Sequence, residues 1–298
     1  MPVAINTYAA QHCANHLDTG FVALGPAKVA LLGVVQGISE LLPVSSTAHM
    51  RTVPALLGWP DPGSAFSAAM QLAALTAVLT YFWRDIRTVV TGSVRATLRR
   101  KWKDQTLRLG VGIILATMPI GAAGLLLSKT LNRCGSPLRT PMVIGLACLG
   151  MAVLMGIAEF AARHQRTSDK LTLRDALLVG LAQVGALVPG FSRSGSTLTA
   201  ALALGFKRED AARVSFLLGI PAIALAGGHE LLLLYRVGLS TVGWEILGVG
   251  LVVSSASAYL AIWGLMRFLE KFSTWPLIIY RALFGLTLAV GAGLHWIG

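Results

Sequence analysis

The stretch AKVALLGVVQGISELLPVSSTAHM, residues 27–50, starts as a membrane helix should and then stops too early. A crossing takes about 20 mostly apolar residues, and this run meets Gln36, Glu40 and Pro43 before reaching that length. Proline restricts the residue before it to extended backbone. Ser45, Ser46 and Thr47, which follow, are residues that favour a helix start. The stretch therefore reads as two short helices joined at a polar break. Broken backbone at membrane depth is tolerated only where it is buried in protein or lines a wet cavity. The expectation is a re-entrant hairpin with a polar site at its tip.

The surrounding sequence fixes the class. Of 298 residues 55% are hydrophobic and only 13% charged, too few charges to cover a soluble domain of this size. Segments 109–127, 141–158 and 249–266 carry no charged residue at all. Ten helical pieces are predicted, over 27–42, 46–58, 64–96, 104–132, 138–163, 172–188, 195–206, 208–236, 241–271 and 276–297. The pair at 172–206 is broken by Pro189 and Gly190, as the first pair is by Pro43. The fold class is thus an all-α integral membrane protein of six transmembrane helices and two re-entrant helical hairpins. Residues 1–26 form a polar extension with no cleavable signal peptide, and 27–298 a single membrane domain.

Net charge is +12, and the basic residues gather in short loops. With the N-terminus outside, 17 of the 25 Lys and Arg fall on inner segments and 6 on outer ones, as the positive-inside rule requires. No nucleic-acid module is present, so the charge is read as topology, with no nucleic-acid partner. Cys13, Cys134 and Cys148 lack metal or disulfide spacing.

The halves echo each other. Gln36, Pro43 and Ser45-Ser46-Thr47 in one correspond to Gln183, Pro189 and Ser192-Arg193-Ser194 in the other. Three crossings separate the hairpins, so they enter from opposite sides. This is the pattern of inverted-topology repeats whose site lies near the midplane, here about 27–163 and 172–298.

Chemistry concentrates at the two breaks. Gln36 and Glu40, four apart, share a helix face. Ser45, Ser46 and Thr47 offer hydroxyls and N–H groups at a helix N-terminus, where anions are favoured, and His49 follows Ser46 by one turn. In PGFSRSGST, 189–197, Arg193 is flanked by Ser192 and Ser194, with Thr197 one turn on. Such a fork with adjacent hydroxyls suits phosphate. N-capping explains one hydroxyl but neither Glu40 nor His49, and an intramembrane carboxylate is functional by default. A structural Arg193–Glu40 ion pair is the bland alternative for the two charges, and it is compatible with function in the empty site. Gln71, within a crossing, bonds either a neighbouring helix or the site. Arg281 sits within the last crossing, and at an inner end it could simply snorkel.

QGISELLPVSSTAH and PGFSRSGST resemble the two signature motifs of bacterial undecaprenyl-diphosphate phosphatases, the bacitracin-resistance (BacA/UppP) family. FSAAMQLAALTAVLTYFWRDI (66–86), SFLLGIPAI (215–223) and PLIIYRALFG (276–285) extend the likeness over nearly all of the chain after residue 27. The resemblance implies hydrolysis of a C55 polyprenyl diphosphate to the monophosphate and inorganic phosphate, recycling the cell-wall lipid carrier and conferring bacitracin resistance. It implies a divalent cation, Mg²⁺ or Ca²⁺, with Glu40 as ligand. By position it assigns Glu40, Ser46, His49 and Arg193 to catalysis. Gln36, Ser45, Thr47, Ser192, Ser194, Thr197 and Gln71 are assigned to substrate binding. Gln36 stands where the family also uses glutamate, which removes one metal ligand and one base. Either Ser46 attacks phosphorus or a water does; the residues leave both routes open. The expected partners are the lipid substrate and the membrane, with a homodimer possible. The expected location is the bacterial inner membrane, with the site facing the periplasm or exterior. A polyprenyl-phosphate transporter is the competing reading, since inverted repeats with broken helices are also a carrier architecture.

Overall fold

The structure, a computed structural model, describes residues 19–131, 138 and 140–294; Cys13 and Cys134 lie outside them. The described residues contain no strands. The helices are α1 (Phe21–Leu41), α2 (Ser46–Leu56), α3 (Ser64–Ala69), α4 (Gln71–Tyr81), α5 (Trp83–Leu98), α6 (Gln105–Leu131), α7 (Pro141–Ala161), α8 (Leu173–Gln183), α9 (Arg193–Ala203), α10 (Arg208–Val237), α11 (Thr241–Lys271) and α12 (Trp275–Gly293). Six of them, α1, α6, α7, α10, α11 and α12, are long and apolar enough to cross a membrane. The chain is an all-helical, multi-pass membrane protein.

Two departures from the sequence reading concern where helices start and bend. The first helix begins at Phe21, six residues earlier than expected, and kinks at Gly25 (φ 74°) ahead of Pro26. Beyond the kink 27–41 extends about 22 Å at 1.5 Å per residue, less than the roughly 30 Å hydrocarbon core. The 64–96 piece is not one helix. It breaks at Met70 and again at Phe82, where the axis turns by 77°. Neither break carries proline or glycine, the residues that usually announce one.

Both hairpins break where proline predicts. Leu42, before Pro43, is extended (φ −71°, ψ 146°), which ends α1. Ser45 then takes φ 73° and caps α2, its Oγ accepting from Ala48 N at 3.4 Å. Ser192 repeats the device at the other break, with φ 69° and its Oγ accepting from Gly195 N at 3.2 Å. A positive φ on a non-glycine residue is strained by roughly 1–3 kcal/mol and persists only where the surroundings enforce it. Two serines in that state at matching positions give the sequence echo a local geometry.

Packing follows the same exchange of halves. The lead helix of the first hairpin, α1, lies along α11, and that of the second, α8, lies along α6. α7 and α12 pack on each other, and α3 and α4 meet α10. Swapping α1 with α8, α6 with α11 and α7 with α12 returns the same set of neighbours, which is compatible with an inverted repeat. Close backbone approach makes two of these contacts. A Cβ on Gly33 would fall 2.9 Å from Gly250 O of α11, and one on Gly145 2.8 Å from Gly285 O of α12. Small residues at such contacts let helices associate through packing where lipid offers no hydrophobic drive.

Candidate functional site

The two breaks meet, and their polar residues bond to one another. Glu40, in the last turn of α1 and 6% exposed, is the hub. Its Oε2 accepts from Ser46 Oγ at 2.5 Å and from Gln36 Nε2 at 3.1 Å. Its Oε1 faces Arg193 Nη2 at 3.3 Å. Ser194 Oγ lies 3.2 Å from Glu40 O and 3.1 Å from Leu42 O, joining the start of α9 to the end of α1. Ser192 Oγ is 3.2 Å from Ser194 Oγ. Thr197 Oγ1 donates to Arg193 O at 2.9 Å and pairs with Ser215 of α10.

The Arg193–Glu40 ion pair expected as the bland reading is therefore present. It does not exhaust the arginine. Nη1 of Arg193 is buried without a hydrogen-bond partner among the described residues. A buried unpaired guanidinium nitrogen is costly, so its persistence marks a place for an acceptor. The N-termini of α2 and α9 converge here too, and first-turn N–H groups have no i−4 carbonyl within their own helix. Cationic fork, hydroxyls and free amides together suit a phosphate group.

His49 is held by other partners. Its Nδ1 is 2.8 Å from Ser45 O and its Nε2 2.7 Å from Tyr280 OH, and its ring stacks on Phe284. A carbonyl only accepts, so Nδ1 carries a proton and donates it to Ser45 O, while Nε2 pairs with the Tyr280 hydroxyl. His49 thus sits one turn from Ser46 without bonding to it or to Glu40. Thr47 is exposed. Gln71, half-buried at the start of α4, takes no part in the hydrogen bonds joining these residues. Gln183 is fully buried and donates to Ala116 O of α6 at 3.2 Å, so the echo of Gln36 serves helix packing.

Two supporting residues escaped the sequence reading, and a third was misread. Arg281 does not snorkel. It is 0% exposed, with Nη1 2.6 Å from Pro43 O at the first break and Nη2 2.7 Å from Phe191 O at the second. It also bonds Gly190 O and Cys148 O. Tyr280, its neighbour on α12, orients His49. Gly219 of α10 lies so close to Nη1 of Arg193 that a Cβ there would overlap it. Backbone acceptors leave no mark in a sequence, so Arg281 carried no signal beyond its charge in an apolar run.

The donor set bears on a divalent cation. Among the described residues no cluster of three His, Cys, Asp or Glu stands ready for a metal. Mg²⁺ is commonly held by one or two carboxylates plus substrate phosphates. Glu40 supplies one carboxylate whose Oε1, bonded only to Arg193, keeps a spare lone pair, so the site fits an ion that arrives with a phosphorylated substrate.

Comparison with known proteins gives the family. The family model described as bacitracin resistance protein BacA matches residues 29–287. An undecaprenyl-diphosphatase 2 from Mesorhizobium japonicum is 62% identical over 263 residues, 88% of this chain and 100% of that protein. An undecaprenyl-diphosphatase from Gloeobacter violaceus is 50% identical over 265 residues, 89% of this chain and 91% of its own length. One from Trichormus variabilis is 45% identical over 283 residues, 94% and 88% of the two chains.

Proposed function

The chain belongs to the bacitracin resistance protein BacA family, and from that premise we propose that it hydrolyses undecaprenyl diphosphate to undecaprenyl phosphate and inorganic phosphate. The observation that carries the reading is the contact of Ser46 Oγ with Glu40 Oε2 at 2.5 Å, beside a guanidinium nitrogen of Arg193 that has no hydrogen-bond partner among the described residues. A hydroxyl in contact with a carboxylate, next to a vacant cationic donor, is the minimum equipment for phosphoryl transfer.

Arg193 Nη1 and the N–H groups opening α2 and α9 hold the terminal phosphate. Ser46 Oγ attacks its phosphorus and gives its proton to Glu40, and the bond to the bridging oxygen breaks, releasing undecaprenyl phosphate. The leaving undecaprenyl phosphate carries off the proton from Glu40, and water then cleaves the phosphoserine with Glu40, again a carboxylate, taking its proton. In the alternative route Glu40 activates a water that attacks phosphorus directly. Gln36 serves either route by donating to Glu40, whereas a second carboxylate there would repel it. His49, fixed by Ser45 O and Tyr280, secures the first turn of α2. A divalent cation carried by the diphosphate and held by Glu40 would offset charge on the phosphate oxygens.

The positive-inside bias supports an outward-facing first hairpin in the bacterial inner membrane, with the site open to the periplasm or exterior. Recycling of the carrier there accounts for bacitracin resistance, since bacitracin sequesters the diphosphate. Phosphate release from C55 diphosphate by the protein purified in detergent, with and without Mg²⁺ or Ca²⁺, tests the reading. Metal-dependent release that falls by about 100-fold or more in Glu40→Gln is expected, the span of a lost general base. Absence of release by folded wild type would favour the carrier reading, because detergent abolishes sidedness but not hydrolysis.

A further inference from the structure

Helix α5 does not belong to the site, and its surface does not match a cytosolic one. It leaves α4 through a 77° turn at Phe82, so α5 runs nearly perpendicular to the helix before it. One side is packed: Val89 and Ala96 are buried, and Ser93 Oγ donates to Thr106 O at the start of α6, 2.9 Å away.

The remaining surface divides lengthwise. Trp83, Val90, Val94 and Leu98, spaced seven, four and four residues apart, form one stripe, with exposures from 56% to 80%. Arg84, Arg95 and Arg99 form the adjacent stripe, and Arg87 emerges within the apolar one. The turn that follows adds Arg100, Lys101, Trp102 and Lys103. The acids nearby are occupied: Asp85 pairs with Arg213 at 3.0 Å and Asp104 accepts from Thr106. Among the described residues none of the basic side chains of 84–103 is in an ion pair.

We propose that α5 is an interfacial helix lying in the inner leaflet and binding anionic phospholipid. Its Trp83–Leu98 stripe enters the acyl boundary while Arg84, Arg95 and Arg99 engage headgroup phosphates. Apolar and basic stripes side by side, with tryptophan at the edge, suit a helix at the headgroup level. The charge complements an anionic leaflet, and the positive-inside bias assigns the inner one.

The full-length chain carrying Cys13→Ser and Cys134→Ser, with buried Cys148 kept, takes a spin label at Val94→Cys or Arg95→Cys. Each is reconstituted in vesicles of equimolar phosphatidylcholine and phosphatidylglycerol. The label at 94 is expected to be relaxed by oxygen in the acyl region and shielded from an aqueous nickel complex, and the label at 95 the reverse. Native mass spectrometry on protein extracted from the same vesicles should show phosphatidylglycerol retained over phosphatidylcholine. That preference should fall at least tenfold in Arg84→Gln/Arg95→Gln/Arg99→Gln whose melting temperature is unchanged. A label at 94 open to nickel, or shielded from both reagents as under a protein partner, would overturn the proposal. So would a lipid preference that the three substitutions leave intact.

Discussion

A Cβ on Gly219 would occupy the space taken by Nη1 of Arg193, so this glycine sets how near α10 may come to the guanidinium. Gly219→Ala is expected to push Arg193 off Glu40 and off the phosphate position. A misplacement of about 1 Å can cost on the order of 100-fold in rate. Gly219 is buried, but the atom displaced is the far end of a flexible side chain and alanine favours a helix over glycine, which keeps the cost in stability small. The expected result is a fall in kcat/KM of that order with little change in melting temperature, read by phosphate release and thermal unfolding in detergent. Glu40, Ser46 and Arg193 were legible in the sequence because a charge or hydroxyl in an apolar run requires a reason. Gly219 and Tyr280 were not, because a missing side chain and an ordinary aromatic look the same at a site as anywhere else.

At the scale of elements the decisive feature is that two helix breaks are tied by one side chain. Arg281 of α12 donates to Pro43 O, Gly190 O and Phe191 O, and so holds both hairpin tips in register. A lysine keeps the charge but lacks the planar fork that reaches several acceptors at once. Arg281→Lys should strand buried carbonyls at about 1–3 kcal/mol each. A lowered melting temperature and at least a tenfold loss of phosphate release are expected together, which separates it from Gly219→Ala, where only activity falls. The breaks themselves were readable, since Pro43 and Pro189 each end a helix by a local steric rule. The bend at Phe82 was not readable, because tertiary packing imposes it on a segment with no proline or glycine at the turn.

Across the whole molecule, one rim is tied by ion pairs that join helices and the loops between them. Arg208 of α10 meets Glu159 of α7 at 2.6 Å, and Arg166 meets Asp175 at 2.5 Å. Asp175 also closes a capping box with Thr172 at the start of α8. Burial works against its ionisation, but the hydrogen bonds from Arg166 and Thr172 prevail and hold its carboxyl below the ordinary carboxylate value. A depressed folded-state pKa stabilises the fold above the unfolded pKa, near 4, and the gain is lost as pH falls through the lower folded value. Asp175→Asn should therefore lower the melting temperature at pH 7. The gap to wild type should close as the medium is acidified below about pH 4, measured by thermal unfolding in detergent.

The clasp made by Arg281 also has a meaning in time. Pro43 and its partner on α12 are separated by 238 residues, and the ribosome delivers them in order. Glu40 and Ser46 enter the membrane early, while Arg193 is added halfway and the residue that locks both loops comes near the end. Through most of synthesis the nascent chain carries its reactive groups without the architecture that aligns them. On the proposed mechanism the site is complete only when the last helix is inserted, and an interrupted translation product would leave the lipid carrier untouched.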